Sequence, residues 1–186
     1  MENTPQFYAK DRAAWRQWLM KNHTTETSVW LVYDKAPHRT LTWQDVVQES
    51  LCFGWIDGRA NKVSNTQSKI YLSKRKPKGV WSKINKAHVD LLIENGLMQP
   101  AGLAAIERAK VNGAWDALNN SDNLVYPPGL TLLFKKYPLA KLHFDAFSTS
   151  SKRLILQWIY DAKTDNTRNN RVTQTVESAE RGEKVR

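Results

Sequence analysis

The residues that could do chemistry are few and scattered. Cys52, the single cysteine, sits in LCFGWID at the end of an apolar run. A nucleophilic thiol needs a neighbouring base or a cationic setting. No histidine lies close to it in sequence, so it is expected to pack as a small hydrophobe. His23, His38, His88 and His143 show no local zinc spacing, and one cysteine cannot complete such a set. No metal and no cofactor are therefore expected. The chain has no glycine-rich phosphate loop and no nucleophile elbow. Asp57, in Trp55-Ile56-Asp57-Gly58, is the one acid at the edge of a basic stretch. General acid–base work normally needs a second acid or base, and none is identifiable. Its expected roles are to anchor Arg59 or Arg75, or to tie a turn through its own backbone. No catalytic residue is assigned.

The strongest chemical signal is charge. The 186 residues carry 28 Lys and Arg against 18 Asp and Glu, a formal charge of +10. Between Gly58 and His88 there is no acid, while nine cations lie in that stretch: Arg59, Lys62, Lys69, Lys74, Arg75, Lys76, Lys78, Lys83 and Lys86. Pro77 and Gly79 break any helix there. The basic groups are thus expected on a hairpin and the loop after it, facing solvent. Arg59, Lys62, Lys74, Arg75, Lys76 and Lys78 form the candidate face for an anionic partner, which could be an acidic protein, nucleic acid or an anionic membrane surface. Tyr71 and Trp81, if exposed, would offer stacking platforms to nucleic acid. A small-ligand or enzyme reading would instead need a pocket built from Asp57, Arg75, Trp81 and Asn85. Lys163, Arg168 and Arg171 could extend the basic surface, although Asp161 and Asp165 would pair with them locally.

These groups must be held by elements, and the apolar spacing points to an α+β fold. Trp15, Trp18, Leu19 and Asn22 share one face of a helix over Asp11–Asn22. SVWLVY, Ser28 to Tyr33, reads as a strand. Thr42 caps a helix Trp43–Phe53, with Asp45 as its capping-box partner and Gly54 as its stop. WIDGRANKV and KIYLSKR flank a polar turn and predict a hairpin. Beyond Ser82 the pattern is helical: Lys83–Asn95 on Ile84, Ala87 and Leu91, then Ala101–Asn112 behind Pro100, and further helices from Leu130, Pro138, Lys152 and Asn166 or Thr167. Leu51, Trp55, Trp81, Ile84, Leu91, Trp115 and Trp158 are the expected core. The expected organisation is an α+β domain over 1–78 with an all-helical region over 79–186 packed on it. The N-terminus lacks a secretory pattern, no apolar run reaches a membrane span, and a lone cysteine cannot form an intramolecular disulfide, so a reducing cytoplasm is the expected compartment.

At LCFGWIDG, KRKPKGVWSKIN and AKTDNTRNNRV the chain resembles the YdeI/OmpD-associated (OmdA) family of bacterial proteins. The likeness runs over nearly the whole length, from the Trp15–Trp18–Leu19 helix and the VWLVY strand, through GLMQPAGLAAIERAKVNGAW, to the Thr167–Arg168 helix. Asn166 stands where the family usually has Glu, and Lys74-Arg75 where Pro-Arg is common. The resemblance implies a bacteriocin-protection or OmpD-associated role linked to tolerance of cationic antimicrobial peptides. It also implies a YjbR/CyaY-like N-terminal α+β fold, and it transfers no catalytic residue. The expected function is a non-enzymatic binding protein acting in stress or peptide tolerance. The alternatives are a nucleic-acid-binding module, or a small-ligand protein or enzyme.

Overall fold

A computed structural model describes residues 4–185. They fall into two compact units divided between Asp116 and Ala117. The division lies well beyond the expected boundary at Lys78, because two helices that follow the sheet share the core of the first unit.

The first unit runs β1 (Gln6–Tyr8), α1 (Arg12–Asn22), β2 (Ser28–Asp34), α2 (Trp43–Cys52), β3 (Trp55–Lys62), β4 (Gln67–Lys74), α3 (Lys83–Glu94) and α4 (Pro100–Val111). The sheet order is β1-β2-β4-β3. β1 is parallel to β2, while β2/β4 and β3/β4 are antiparallel. The expected hairpin is β3–β4, with a bulge between Asp57 and Ala60. β1 has only three residues and no sequence signal of its own; it exists because β2 offers it an edge. Strand alternation places Val29 and Leu31, opposite Leu72 and Ile70, on the buried face. Trp30 points the other way, edge-on to Tyr71 at 5.3 Å, under Arg59 and Lys69 at 5.5 and 4.8 Å from its ring.

Helix starts follow their local chemistry. Asp11 accepts from the Ala14 amide, and Thr42 with Asp45 completes the reciprocal capping box. Trp15, Leu19, Val46, Val47, Leu51, Trp55 and Trp81 are buried in the core of this unit. Ile84 and Leu91 are not: they are 57% and 46% exposed. KINKAHVDLLIE carries two apolar stripes, and α3 buries the one made by Val89 and Leu92. Trp115 and Trp158 are half-buried at the edge of their cores.

The second unit is helical: α5 (Asn119–Asp122), α6 (Pro128–Lys136), α7 (Pro138–Ala146), α8 (Thr149–Tyr160) and α9 (Asp165–Glu180). Its core includes Leu130, Phe134, Phe144, Ile155, Ile159, Val172 and Val176. A four-stranded sheet with helices, followed by helices alone, makes the chain an α+β protein as expected. Among the described residues no helix is long and apolar enough to cross a membrane.

Candidate functional site

The decisive residue is Arg75, just past β4. Its amide donates to the Gly54 carbonyl at 2.9 Å, which continues the β3–β4 pairing by one step. The chain then turns through Lys76-Pro77-Lys78-Gly79, closed by a Gly79 N–H donating to the Lys76 carbonyl at 2.9 Å. That reversal lays Trp81 on the Arg75 guanidinium, whose carbon is 3.5 Å from the ring centroid. Trp115 backs Trp81 at 5.0 Å.

Arg75 is only 8% exposed. One of its nitrogens, Nη1, donates to the Val80 carbonyl at 3.3 Å, while Nε and Nη2 are buried without an acceptor among the described residues. Burial pulls its pKa down to about 10, and the charge of Asp57 works against that shift without an ion pair being formed. The group therefore remains a cation at neutral pH, held in a low-dielectric place with its charge largely uncompensated.

The buried acid of the same unit is treated in the opposite way. Glu49, on α2, accepts from Arg12 Nε at 2.6 Å and from Arg16 Nη1 at 2.7 Å. Arg12 also reaches Asp45 at 3.1 Å, and Arg16 donates to the Leu97 carbonyl at 2.9 Å. Burial tends to raise the Asp45 carboxyl, but the Thr42 hydroxyl and amide and the Arg12 charge outweigh it and hold it below the usual range.

Arg75 borders a cleft of about 380 Å³. Phe53 and Gly54 form one wall, Ala101, Ala104 and Ala105 of α4 another, and His23, Thr24, Lys74 and Arg108 complete the lining. Backbone packing explains the shape. Gly54 has a φ of +72°, and Gly102 lies so close to the end of α2 that a Cβ there would stand 2.3 Å from the Cys52 carbonyl oxygen. Helix α4 is thus pressed against α2, and the short alanine side chains beside the contact leave the space open. Lys74 Nζ donates to the Thr24 carbonyl at 2.7 Å. His23 Nδ1 is 2.9 Å from the Leu19 carbonyl, and its ring lies 5.1 Å from Phe53. The lining holds three permanent cations, Lys74, Arg75 and Arg108, and no acid. Such a concave surface concentrates positive potential and favours an anion.

The structure divides the six residues expected to form one basic face. Lys74 and Arg75 join at the cleft. Arg59 covers Trp30 on the outer side of the sheet, and Lys76 and Lys78 are exposed in the turn. Lys62 is at the far end of the hairpin, opposite Ser68, about 20 Å along β4 from Lys74. Arg75 itself is buried, contrary to a solvent-facing role. Of the expected pocket, Arg75 and Trp81 stack as a pair and Asp57 acts on Arg75 only through space, while Asn85 is the residue whose amide is capped by Ser82. Arg75 is the member of that set that lines the cleft. Trp81 is 1% exposed, and half-buried Tyr71 is held edge-on by Trp30, so neither presents a free stacking face. Arg168 pairs with Asp165 at 2.5 Å, and Arg171 donates to the Trp158 carbonyl and lies over its ring, so these cations are tied down locally. The sequence draws attention to His23 only as a possible metal ligand, and Arg108 is not singled out by it at all. The one local hint was Ala101, Ala104 and Arg108, which share a helix face at i, i+3 and i+7.

Residues 7–105, more than half the chain, match the model of a domain of unknown function (DUF8412). The chain belongs to that family. The DUF8412 region lies wholly within the first unit and contributes His23, Phe53, Lys74 and Arg75 to the cleft. Residues 123–182, within the second unit, match the model described as Bacteriocin-protection, YdeI or OmpD-Associated (OmdA). The likeness to OmdA expected over nearly the whole length is thus carried by this segment, which contains AKTDNTRNNRV. LCFGWIDG and KRKPKGVWSKIN fall instead in the DUF8412 region. No curated protein and no solved structure matches the chain.

Proposed function

We propose that this chain is a non-enzymatic binding protein that acts in the bacterial cytoplasm, in tolerance of bacteriocins or cationic antimicrobial peptides, by recognising an anionic partner. The OmdA match over 123–182 supports the physiological role. The observation that carries the recognition mode is the uncompensated Arg75 guanidinium beside an acid-free, cationic cleft. On this reading the small sheet with its helices is the YjbR/CyaY-like layer, and Lys76 and Lys78 extend the attraction outward from the cleft. A protein of charge +10 repels a cationic peptide. Protection is therefore indirect, through an anionic partner inside the cell and not through capture of the peptide. Nucleic acid is the weaker alternative, because Trp81 is buried and cannot stack on a base.

The test is survival of a sensitive bacterial strain under challenge by a cationic antimicrobial peptide, with and without the protein. Expression should raise survival, and a double variant, Lys74→Gln with Arg108→Gln, should lose most of that protection. Equal survival with and without the wild-type protein would overturn the reading.

A further inference from the structure

We infer that the cleft is a binding site for a small phosphomonoester, with its phosphate between Lys74 and Arg108 above the Arg75 charge and its organic part on Phe53 and the alanine face of α4. This rests on the anion-recognition reading above and names the chemistry of the anion.

Charge comes first. Three permanent cations line the cleft and no carboxylate does, so a monoanion leaves two charges uncompensated and a dianion leaves one. A phosphate monoester, with a second pKa of about 6, is a dianion at neutral pH. The lining side chains agree. Lys74 is held by its bond to the Thr24 carbonyl and supplies a fixed ammonium, while the exposed Arg108 offers a planar fork suited to two phosphate oxygens. Arg75 need not leave Trp81. Its guanidinium stays stacked there as a preorganised charge at a residue that borders the cleft, with two nitrogens that take no acceptor among the described residues. The cleft is also too large for phosphate alone, since about 380 Å³ is at the lower end of the range that holds a small organic ligand. Its remaining walls, Phe53, Ala101, Ala104 and Ala105, are apolar and suit a compact organic body. A long polyanion fits less well. The other cations of the basic stretch are spread from the hairpin tip to the turn, and Arg59 is engaged with Trp30.

The test is isothermal titration of the full chain with phenyl phosphate, with benzoate and inorganic phosphate as comparison ligands. Phenyl phosphate should bind one-to-one with a Kd of about 100 μM. Inorganic phosphate should bind more weakly, and benzoate weaker still. Affinity should fall as the phosphate is protonated below about pH 6. Lys74→Gln and Arg108→Gln should each weaken phenyl phosphate binding about tenfold, and Lys62→Gln, at the hairpin tip, should leave it unchanged. Absence of phenyl phosphate binding at millimolar concentration would overturn the inference. So would an equal loss in the Lys62 variant, which would mark a diffuse charge effect. Peptide protection without phenyl phosphate binding would sink this inference and leave the functional reading standing. Binding without protection would do the reverse.

Discussion

Two buried charges of opposite sign sit in one small unit, and only one is satisfied. Glu49 is clamped by Arg12 and Arg16, with both carboxylate oxygens engaged. Removing a partner from a buried pair is costly because the charge left behind has nowhere to go. Glu49→Ala leaves two arginines facing each other without their acid and should cost about 3 kcal/mol in urea unfolding. Arg75→Met should behave differently. It removes an unpaired buried charge while keeping the length needed to cover Trp81, so stability should stay within about 1 kcal/mol of wild type or rise. A loss as large as that of Glu49→Ala would mean that Arg75 is a structural group. The sign of the acid limb follows from Asp45. Its folded pKa lies below the unfolded value of about 3.9. Its contribution is therefore complete above that unfolded value and is lost as pH falls through the folded one. Urea midpoints measured between pH 6 and pH 2 should fall on the acid side, and Asp45→Asn should flatten that limb.

Among the elements, α3 shows how a helix can be recognised while its orientation is misread. Its start at Ser82 and its end near Asn95 are local matters, since Ser82 caps the Asn85 amide and the last turn closes on Leu91 and Ile93. Which stripe faces inward is decided by what α3 packs against. Ile84-Ala87-Leu91 and Val89-Leu92 are both plausible apolar seams in sequence, and the core takes the second. Leu92→Ala should therefore cost about 3 kcal/mol, from lost burial and a cavity. Leu91→Ala, at 46% exposure, should change stability by less than about 0.5 kcal/mol. Thermal or urea unfolding of the two variants side by side checks the phase of the helix. Reversed magnitudes would put the sequence-read seam back in the core.

At the scale of the whole molecule, the chain carries two cores that belong to different family matches. One is centred on the sheet and Trp15, Trp55 and Trp81, the other on Phe134 and Phe144. Each unit has its own buried cluster, which is the physical requirement for independent folding. Residues 1–116 expressed alone should melt cooperatively by circular dichroism, with the cleft residues intact because all of them lie before Asp116. A chain cut at residue 78 should fail to do so, since it lacks Trp81, Val89, Leu92, Ile106 and Ala109 from that core. The net charge of +10 acts at the same scale, steering any anion toward the protein in a salt-dependent way.

Local signals in the sequence suffice for every helix except the one-turn α5, for the hairpin and for the α+β class. These depend on signals a few residues long: the Thr42–Asp45 capping box, the stop at Gly54, Pro100 in the first turn of α4, and the alternation of SVWLVY. Each of these is an interaction between near neighbours, so type and spacing suffice to read it. The concentration of cations between Gly58 and His88 was equally plain. Their fate was not. Tertiary structure decided that Arg75 would be stacked on Trp81 and starved of acceptors, that Lys62 and Lys74 would be far apart, and that β1 would find an edge on β2. It also brought His23, from the end of α1, and Arg108, from α4, to the same cleft as Lys74. Such meetings depend on close approach between distant segments, here set by Gly102 against the end of α2 and Gly54 against α4. No local periodicity records which helix a glycine will let in.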